Sequence, residues 1–272
     1  MDKTQIQQEY ASPECAPANA PWGFRATLGI SFSIIVVNFL AQFCVFIFHL
    51  FWQAFGQQAS GHQRIFLNMN AIRSYIANFE LNSRIISESI LFPDIVCILT
   101  VIFFIRRKRG QQIREYLVLN SVSPLKFVLW QIAMIVIYYF TNYITEKMSV
   151  PQPDFMNVMR NIAASESVFN LALLAAALVL TAPLFEEIMF RGFMFTGLAS
   201  SRAGVVGAAM IPALLWSLVH FQYEWIWVAI IFFMGLAFAL ARYTTGSIYT
   251  VFFMHAINNF LSFLEVIKTN TQ

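Results

Sequence analysis

The sequence predicts an all-α, polytopic membrane helical bundle of about seven to eight transmembrane helices, with the active site inside the bundle. Three observations predict it. Of the 272 residues 58% are hydrophobic and only 11% charged, against about 25% charged in an ordinary soluble domain. Mean hydropathy is +0.64. Apolar stretches follow one another along most of the chain, and each approaches the roughly 20 residues that a helix needs to cross a bilayer.

Taken in order, the stretches are 26–52, 85–105, 127–144, 168–197, 203–221, 225–241 and 247–264. The second is interrupted by Glu88, Pro93 and Asp94 but ends in the basic flank Arg106-Arg107-Lys108-Arg109. With Arg114 and Lys126, that flank belongs on the cytoplasmic side by the positive-inside rule. Counting back through one span puts the N-terminus on that side too. Counting forward places Arg191, Arg202 and Arg242 near it. The tail of residues 1–24 is polar and expected to be disordered; it lacks a basic n-region and a short apolar h-region, so the first span reads as a retained anchor. Between spans, 72–79 has the pattern of an amphipathic helix outside the membrane, and 113–126 reads as an interfacial helix and turn.

Composition excludes several functions. The formal net charge is +3 and the basic residues are scattered or flank apolar runs, so no nucleic-acid partner is indicated. Cys15, Cys44 and Cys97 are far apart, which argues against a disulfide framework or a zinc ribbon. The abundant phenylalanines belong to lipid-facing and interfacial surfaces, making membrane lipid the first partner.

The chemistry gathers in the second half. In Ala182-Pro183-Leu184-Phe185-Glu186-Glu187-Ile188-Met189-Phe190-Arg191-Gly192, two carboxylates and a guanidinium follow a charge-free apolar run. Each charge near the bilayer centre costs about 2.5–3.5 kcal/mol even on the lenient insertion scale. At 100° per residue, Glu187 and Arg191 share a helix face at i, i+4 and form an ion pair, while Glu186 points away and is left to transfer protons in a cavity. The plainer reading is an ion-pair cluster that only fixes helix packing. His220, at the end of one apolar run, and His255, inside another, supply further polar groups from two more spans. Asn259 shares the face of His255, and Asn258 turns to another. A carboxylate and a histidine can deprotonate a water, and a histidine and an amide can stabilise the oxyanion formed when that water attacks a carbonyl.

This pattern, Glu186-Glu187-x-x-x-Arg191, then an aromatic four residues before His220, then His255-x-x-x-Asn259, resembles the CPBP family of CAAX proteases and bacteriocin-processing enzymes, which includes the type II CAAX prenyl endopeptidases. The resemblance covers 168–264 as a catalytic core, with 25–167 as preceding membrane helices and connecting amphipathic segments and 265–272 as a C-terminal tail. It implies that Glu186 is the general base on a water held with His220, that His255 and Asn259 form the oxyanion hole, and that Glu187 and Arg191 support the site. Trp216 stands where the family usually has phenylalanine; it and Phe190 are expected along the substrate groove. The resemblance implies a glutamate-activated water and no cofactor. Zinc is the alternative, although no His-Glu-x-x-His pair offers adjacent ligands.

The function expected is therefore that of a multi-pass intramembrane endopeptidase acting on a membrane-associated, lipidated or hydrophobic peptide. Its site is expected towards the cytoplasm of a bacterial inner membrane, because the C-terminus carries no eukaryotic retention signal. A non-catalytic scaffold or bacteriocin self-immunity protein would keep the same polar core. A proton-coupled transporter would also use membrane glutamates and histidines, but no repeat halves or paired broken helices are visible.

Overall fold

The computed structural model describes residues 21–59 and 82–268, with the backbone alone for 53–59. The expected amphipathic helix at 72–79, the tail 1–20 with Cys15, His62 and residues 269–272 lie outside the described residues. Among the described residues all regular structure is helical. The helices are α1 (Phe24–Ala59), α2 (Ser83–Arg107), α3 (Ile113–Tyr116), α4 (Pro124–Lys147), α5 (Asp154–Ser165), α6 (Val168–Ala199), α7 (Gly204–Leu218), α8 (Trp225–Thr245) and α9 (Ile248–Lys268). Six of them, α1, α2, α4, α6, α8 and α9, are long and apolar enough to cross a membrane, whereas α7 is a shorter apolar helix of 15 residues. The molecule is an integral, multi-pass membrane protein. Large apolar side chains such as Phe32, Phe43, Phe103, Val136, Phe140 and Phe233 stand exposed along the spans, as a lipid-facing surface requires.

Local chemistry explains the boundaries. Pro124 opens α4, at the first turn, where a missing N–H costs nothing. Ser167 caps α6, its hydroxyl oxygen accepting from the Asn170 N–H at 3.3 Å, which satisfies one of the orphan donors of the first turn. Gly246 ends α8 at φ 63°, a left-handed conformation that glycine adopts without a Cβ penalty. Pro93 sits inside α2 without ending it. The amphipathic helix α5 was not anticipated: it carries polar residues on one face and Met159 and Ile162 on the other.

By contacts the chain divides into two compact units, and the dividing points fall within helices. The first comprises Met1–Ile34, Ile98–Trp130 and Glu186–Phe252. Small residues allow its helices close approach, as membrane packing favours. A Cβ at Gly192 would meet the Leu117 side chain at 2.8 Å, and one at Gly197 would collide with the Thr27 hydroxyl. Tyr116 stacks on Phe193 with centroids 5.5 Å apart, and the Thr196 hydroxyl donates to the Tyr116 carbonyl at 2.8 Å. Buried Arg242 donates from Nε to the Arg191 carbonyl at 3.2 Å.

The second unit comprises Ile35–Cys97, Gln131–Phe185 and Phe253–Gln272. Its apolar core joins Met159 and Ile162 of α5 to Leu174 and Val266. Several polar groups within it are paired: Asn38 donates to Asp94 at 3.2 Å, His49 and Arg84 each contact Glu88 at 2.8 Å, and the Tyr138 hydroxyl donates to Glu265 at 2.9 Å. Of the apparent interruptions of the second apolar stretch, Glu88 is therefore paired with the Arg84 guanidinium on α2 and with His49 on α1, and Asp94 is hydrogen-bonded by Asn38 on α1.

Candidate active site

The site begins with an irregular helix. Two stretches of α6, Ala176–Thr181 and Glu187–Met194, are π-helical, a rare arrangement that occurs mostly as short insertions and often at functional sites. In the first, the Ala182 N–H bonds the Ala177 carbonyl. The next residue is Pro183, which has no N–H, so the Leu178 carbonyl has no donor along its own helix. The Asn259 side-chain amide donates to that carbonyl at 2.9 Å. In hydrocarbon such a carbonyl costs several kcal/mol unless it is paired.

The second π stretch starts at Glu187, immediately after Glu186. Glu187 and Arg191 are 0% and 1% exposed, and Arg191 Nη1 donates to Glu187 Oε1 at 3.1 Å. The pair that the i, i+4 spacing predicts is thus present in the first unit. Arg191 Nη2 also donates to the Gly235 carbonyl at 3.3 Å. Its guanidinium lies over two aromatic rings, 4.4 Å from the Trp216 centroid and 5.1 Å from that of Phe238. Gly235 makes this possible, since a Cβ there would stand 3.0 Å from Ala213 and 3.2 Å from Arg191 Nη2.

Glu186 faces differently. It is half-buried, and its carboxylate accepts a hydrogen bond from the Trp216 indole N–H. Trp216 therefore touches two members of the Glu-Glu-Arg motif, with its ring face on Arg191 and its ring edge on Glu186.

His220 was expected at the end of a span; it stands two residues beyond α7, in a turn. The backbone explains how this aims the ring. The His220 N–H bonds the Ser217 carbonyl at 3.2 Å, so the carbonyl of Trp216 loses its usual i+4 donor, as the last carbonyls of any helix do. His220 Nδ1 takes that place at 2.7 Å. Because a carbonyl only accepts, Nδ1 carries the hydrogen and Nε2 keeps the lone pair in the neutral ring. The rings of Trp216 and His220 meet edge to face at 5.5 Å.

Tyr223, which the motif reading missed, stacks on His220 at 6.0 Å between centroids. Burial, followed by the negative charge of Glu186, pushes its phenol up to about 12, so it remains a neutral donor at any physiological pH. Its position three residues after His220 in a short turn was the available signal. Phe190 and Trp216, expected along a groove, are each only 2% exposed.

The remaining site candidates belong to the second unit. His255 is buried, at 4% exposed. Asn259 is committed on one side to Leu178, and its carbonyl oxygen accepts from Asn258 at 3.1 Å, so Asn258 turns to its neighbour rather than to another helix. The first unit therefore unites Glu186, Glu187, Arg191, Trp216 and His220. Among the described residues no group of three or more His, Cys, Asp or Glu side chains is gathered as a metal site would require.

Residues 168–261 match the family described as Rce1-like, the type II CAAX prenyl endopeptidase Rce1-like family. The match supports assigning this segment to the CAAX proteases. The match covers about a third of the chain and takes in every residue of the three motifs, from Glu186 to Asn259. At family level the match supports an intramembrane protease of the CAAX type. No curated protein and no solved structure matches the chain.

Proposed function

We propose that the protein is an intramembrane endopeptidase that hydrolyses a peptide bond in a membrane-associated substrate, prenylated or otherwise hydrophobic, with Glu186 as general base. The observation that carries this reading is the convergence of Glu186 and His220 on Trp216 within the segment that matches the family. Glu186 presents a carboxylate to the Trp216 indole, and His220, held on the carbonyl of the same residue, has Nε2 free of the proton at Nδ1. A water between such groups gives one proton to the carboxylate while its oxygen attacks the scissile carbonyl carbon. The tetrahedral oxyanion then collapses, the carbon–nitrogen bond breaks, and the proton passes from Glu186 to the leaving amine. The family resemblance assigns the oxyanion to His255 and Asn259. An asparagine amide has two N–H groups, so a bond to Leu178 leaves Asn259 a second donor.

Charge distribution supports a cytoplasmic orientation for the catalytic residues. Described residues of the first unit include the basic Arg25, Arg106, Arg107, Lys108, Arg109, Arg114, Lys126, Arg191, Arg202 and Arg242, against the acidic Glu115, Glu186, Glu187 and Glu224. Basic residues near span ends are retained on the cytoplasmic side, as in the inner membrane of a bacterium. A lipid or apolar segment would then arrive through the bilayer and water from the polar end.

The test is cleavage of a panel of prenylated and unmodified membrane-associated peptides by purified protein in lipid, with Glu186→Ala and His220→Ala alongside. Turnover should fall by about 10²–10⁴-fold or more in both variants, with membrane insertion intact and no response to a strong chelator. Binding of a peptide that survives Glu186→Ala without any cleavage by wild type would overturn the reading in favour of a scaffold. Loss of wild-type activity with chelator would overturn the metal-free step.

A further inference from the structure

Trp216 is the point at which the site departs from the family's usual phenylalanine, and the departure adds one chemical group, an indole N–H. That N–H donates to the Glu186 carboxylate. The same residue's backbone carbonyl accepts from His220 Nδ1 at 2.7 Å, and its ring face lies 4.4 Å from the Arg191 guanidinium. A single buried side chain is thereby fixed from below by a cation that is itself held by Glu187 and the Gly235 carbonyl, and it presents its edge to Glu186. The indole cannot tilt its plane without taking its face off Arg191, and a carboxylate bonded to it is confined to the conformers that reach the N–H.

We propose that Trp216 is a positioning residue, whose indole N–H orients the Glu186 carboxylate and whose carbonyl sets the tautomer of His220, rather than a wall of the substrate groove. This rests on Glu186 being the general base. Phenylalanine at this position keeps the ring over Arg191 and the carbonyl facing His220 but has no N–H to offer the carboxylate. A groove wall and an orienting donor therefore respond differently to the same substitution. Losing a wall changes how substrate binds and raises KM. Losing the donor leaves substrate binding alone and lets the carboxylate wander from the geometry in which it meets the attacking water, where misplacement by about 1 Å costs roughly 10²-fold.

The experiment compares wild type, Trp216→Phe, and protein carrying 3-benzothienylalanine at 216, an isostere in which sulfur replaces the N–H and the ring over Arg191 is retained. Both replacements should lower kcat by about 10- to 100-fold with KM unchanged. A second readout needs no substrate. With indole-15N tryptophan, the resonance absent from Trp216→Phe identifies the Trp216 N–H, and Glu186→Ala should move it upfield as the charge-assisted hydrogen bond is lost. A benzothienylalanine protein with wild-type kcat, a rise in KM with kcat unchanged, or an indole resonance indifferent to Glu186→Ala would each overturn the proposal. If wild type cleaves no peptide, the protease reading fails by itself, and the indole resonance still decides whether Trp216 holds Glu186. Should Trp216→Phe fold poorly, the isostere carries the comparison.

Discussion

Replacing Arg191 by methionine removes the guanidinium and keeps an unbranched apolar side chain of similar reach. Three interactions go at once: the 3.1 Å bond to Glu187, the 3.3 Å bond to the Gly235 carbonyl, and the contacts with the Trp216 and Phe238 rings. The largest cost lies in what remains, a Glu187 carboxylate 0% exposed and deprived of its cation. Breaking a buried pair in this way costs about 3–5 kcal/mol, which is roughly 10²–10⁴ in the unfolding equilibrium at about 1.4 kcal/mol per tenfold. The stacked rings add up to about 2 kcal/mol for a desolvated cation, a part of which methionine recovers by packing. Charge is separable from packing by the double variant Glu187→Leu with Arg191→Met. Replacing both members of a buried pair by apolar residues is often neutral or stabilising by about 1–4 kcal/mol, so the second substitution should rescue the first. Equilibrium unfolding in bicelles, followed by fluorescence, measures both. A single variant within about 1 kcal/mol of wild type, or a double variant as damaged as the single, would show that the two charges do not behave as a desolvated pair.

Three further outcomes follow from the packing. Asn259→Ala strands the Leu178 carbonyl and should cost about 1–3 kcal/mol; adding Pro183→Ala returns an N–H to the helix and should restore stability in bicelle unfolding without restoring turnover. Gly197→Ala places a methyl against the Thr27 hydroxyl and should destabilise by about 1–3 kcal/mol, a loss that Thr27→Ala relieves, as measured by thermal aggregation in detergent. Tyr223 has a phenol raised to about 12 in the folded protein against about 10 unfolded. The unfolded chain therefore loses this proton first, and stability should fall as pH rises from 10 towards 12, with a shallower slope in Tyr223→Phe.

The spans were legible because hydrophobic length and basic flanks act over many residues, so no single error displaces them. The Glu187–Arg191 pair was legible for a related reason, since i, i+4 neighbours meet in α-helix and stay close in the π stretch. Proline at 183 removes a helix donor, but the group that answers it, an amide on α9, is 81 residues away and no local pattern announces it. The position of His220 depended on where α7 stops, and an apolar run up to Phe221 does not mark that point; the turn is set by backbone bonds within Ser217–Tyr223. The Trp216–Glu186 bond spans 30 residues. From the sequence Trp216 was only a larger ring in a phenylalanine position. Helix α5 was overlooked because its 12 residues are too short a run to stand out as a span and its burial comes from α6 and α9.

The shortness of α7 bears on where the water for hydrolysis comes from. Its 15 residues rise about 22 Å at 1.5 Å each, against a hydrocarbon core of about 30 Å. A helix that falls short is matched by local thinning of the bilayer or by headgroups drawn inward, at a cost of fractions of a kcal/mol per ångström. Lipid meets this helix along Val206, Met210 and Leu214, all of them exposed, and the headgroup boundary descends with it. His220, just past the end of α7, is then a residue at a dimpled membrane surface. In the proposed hydrolysis, hydrophobic mismatch would then bring water to the residue that handles it.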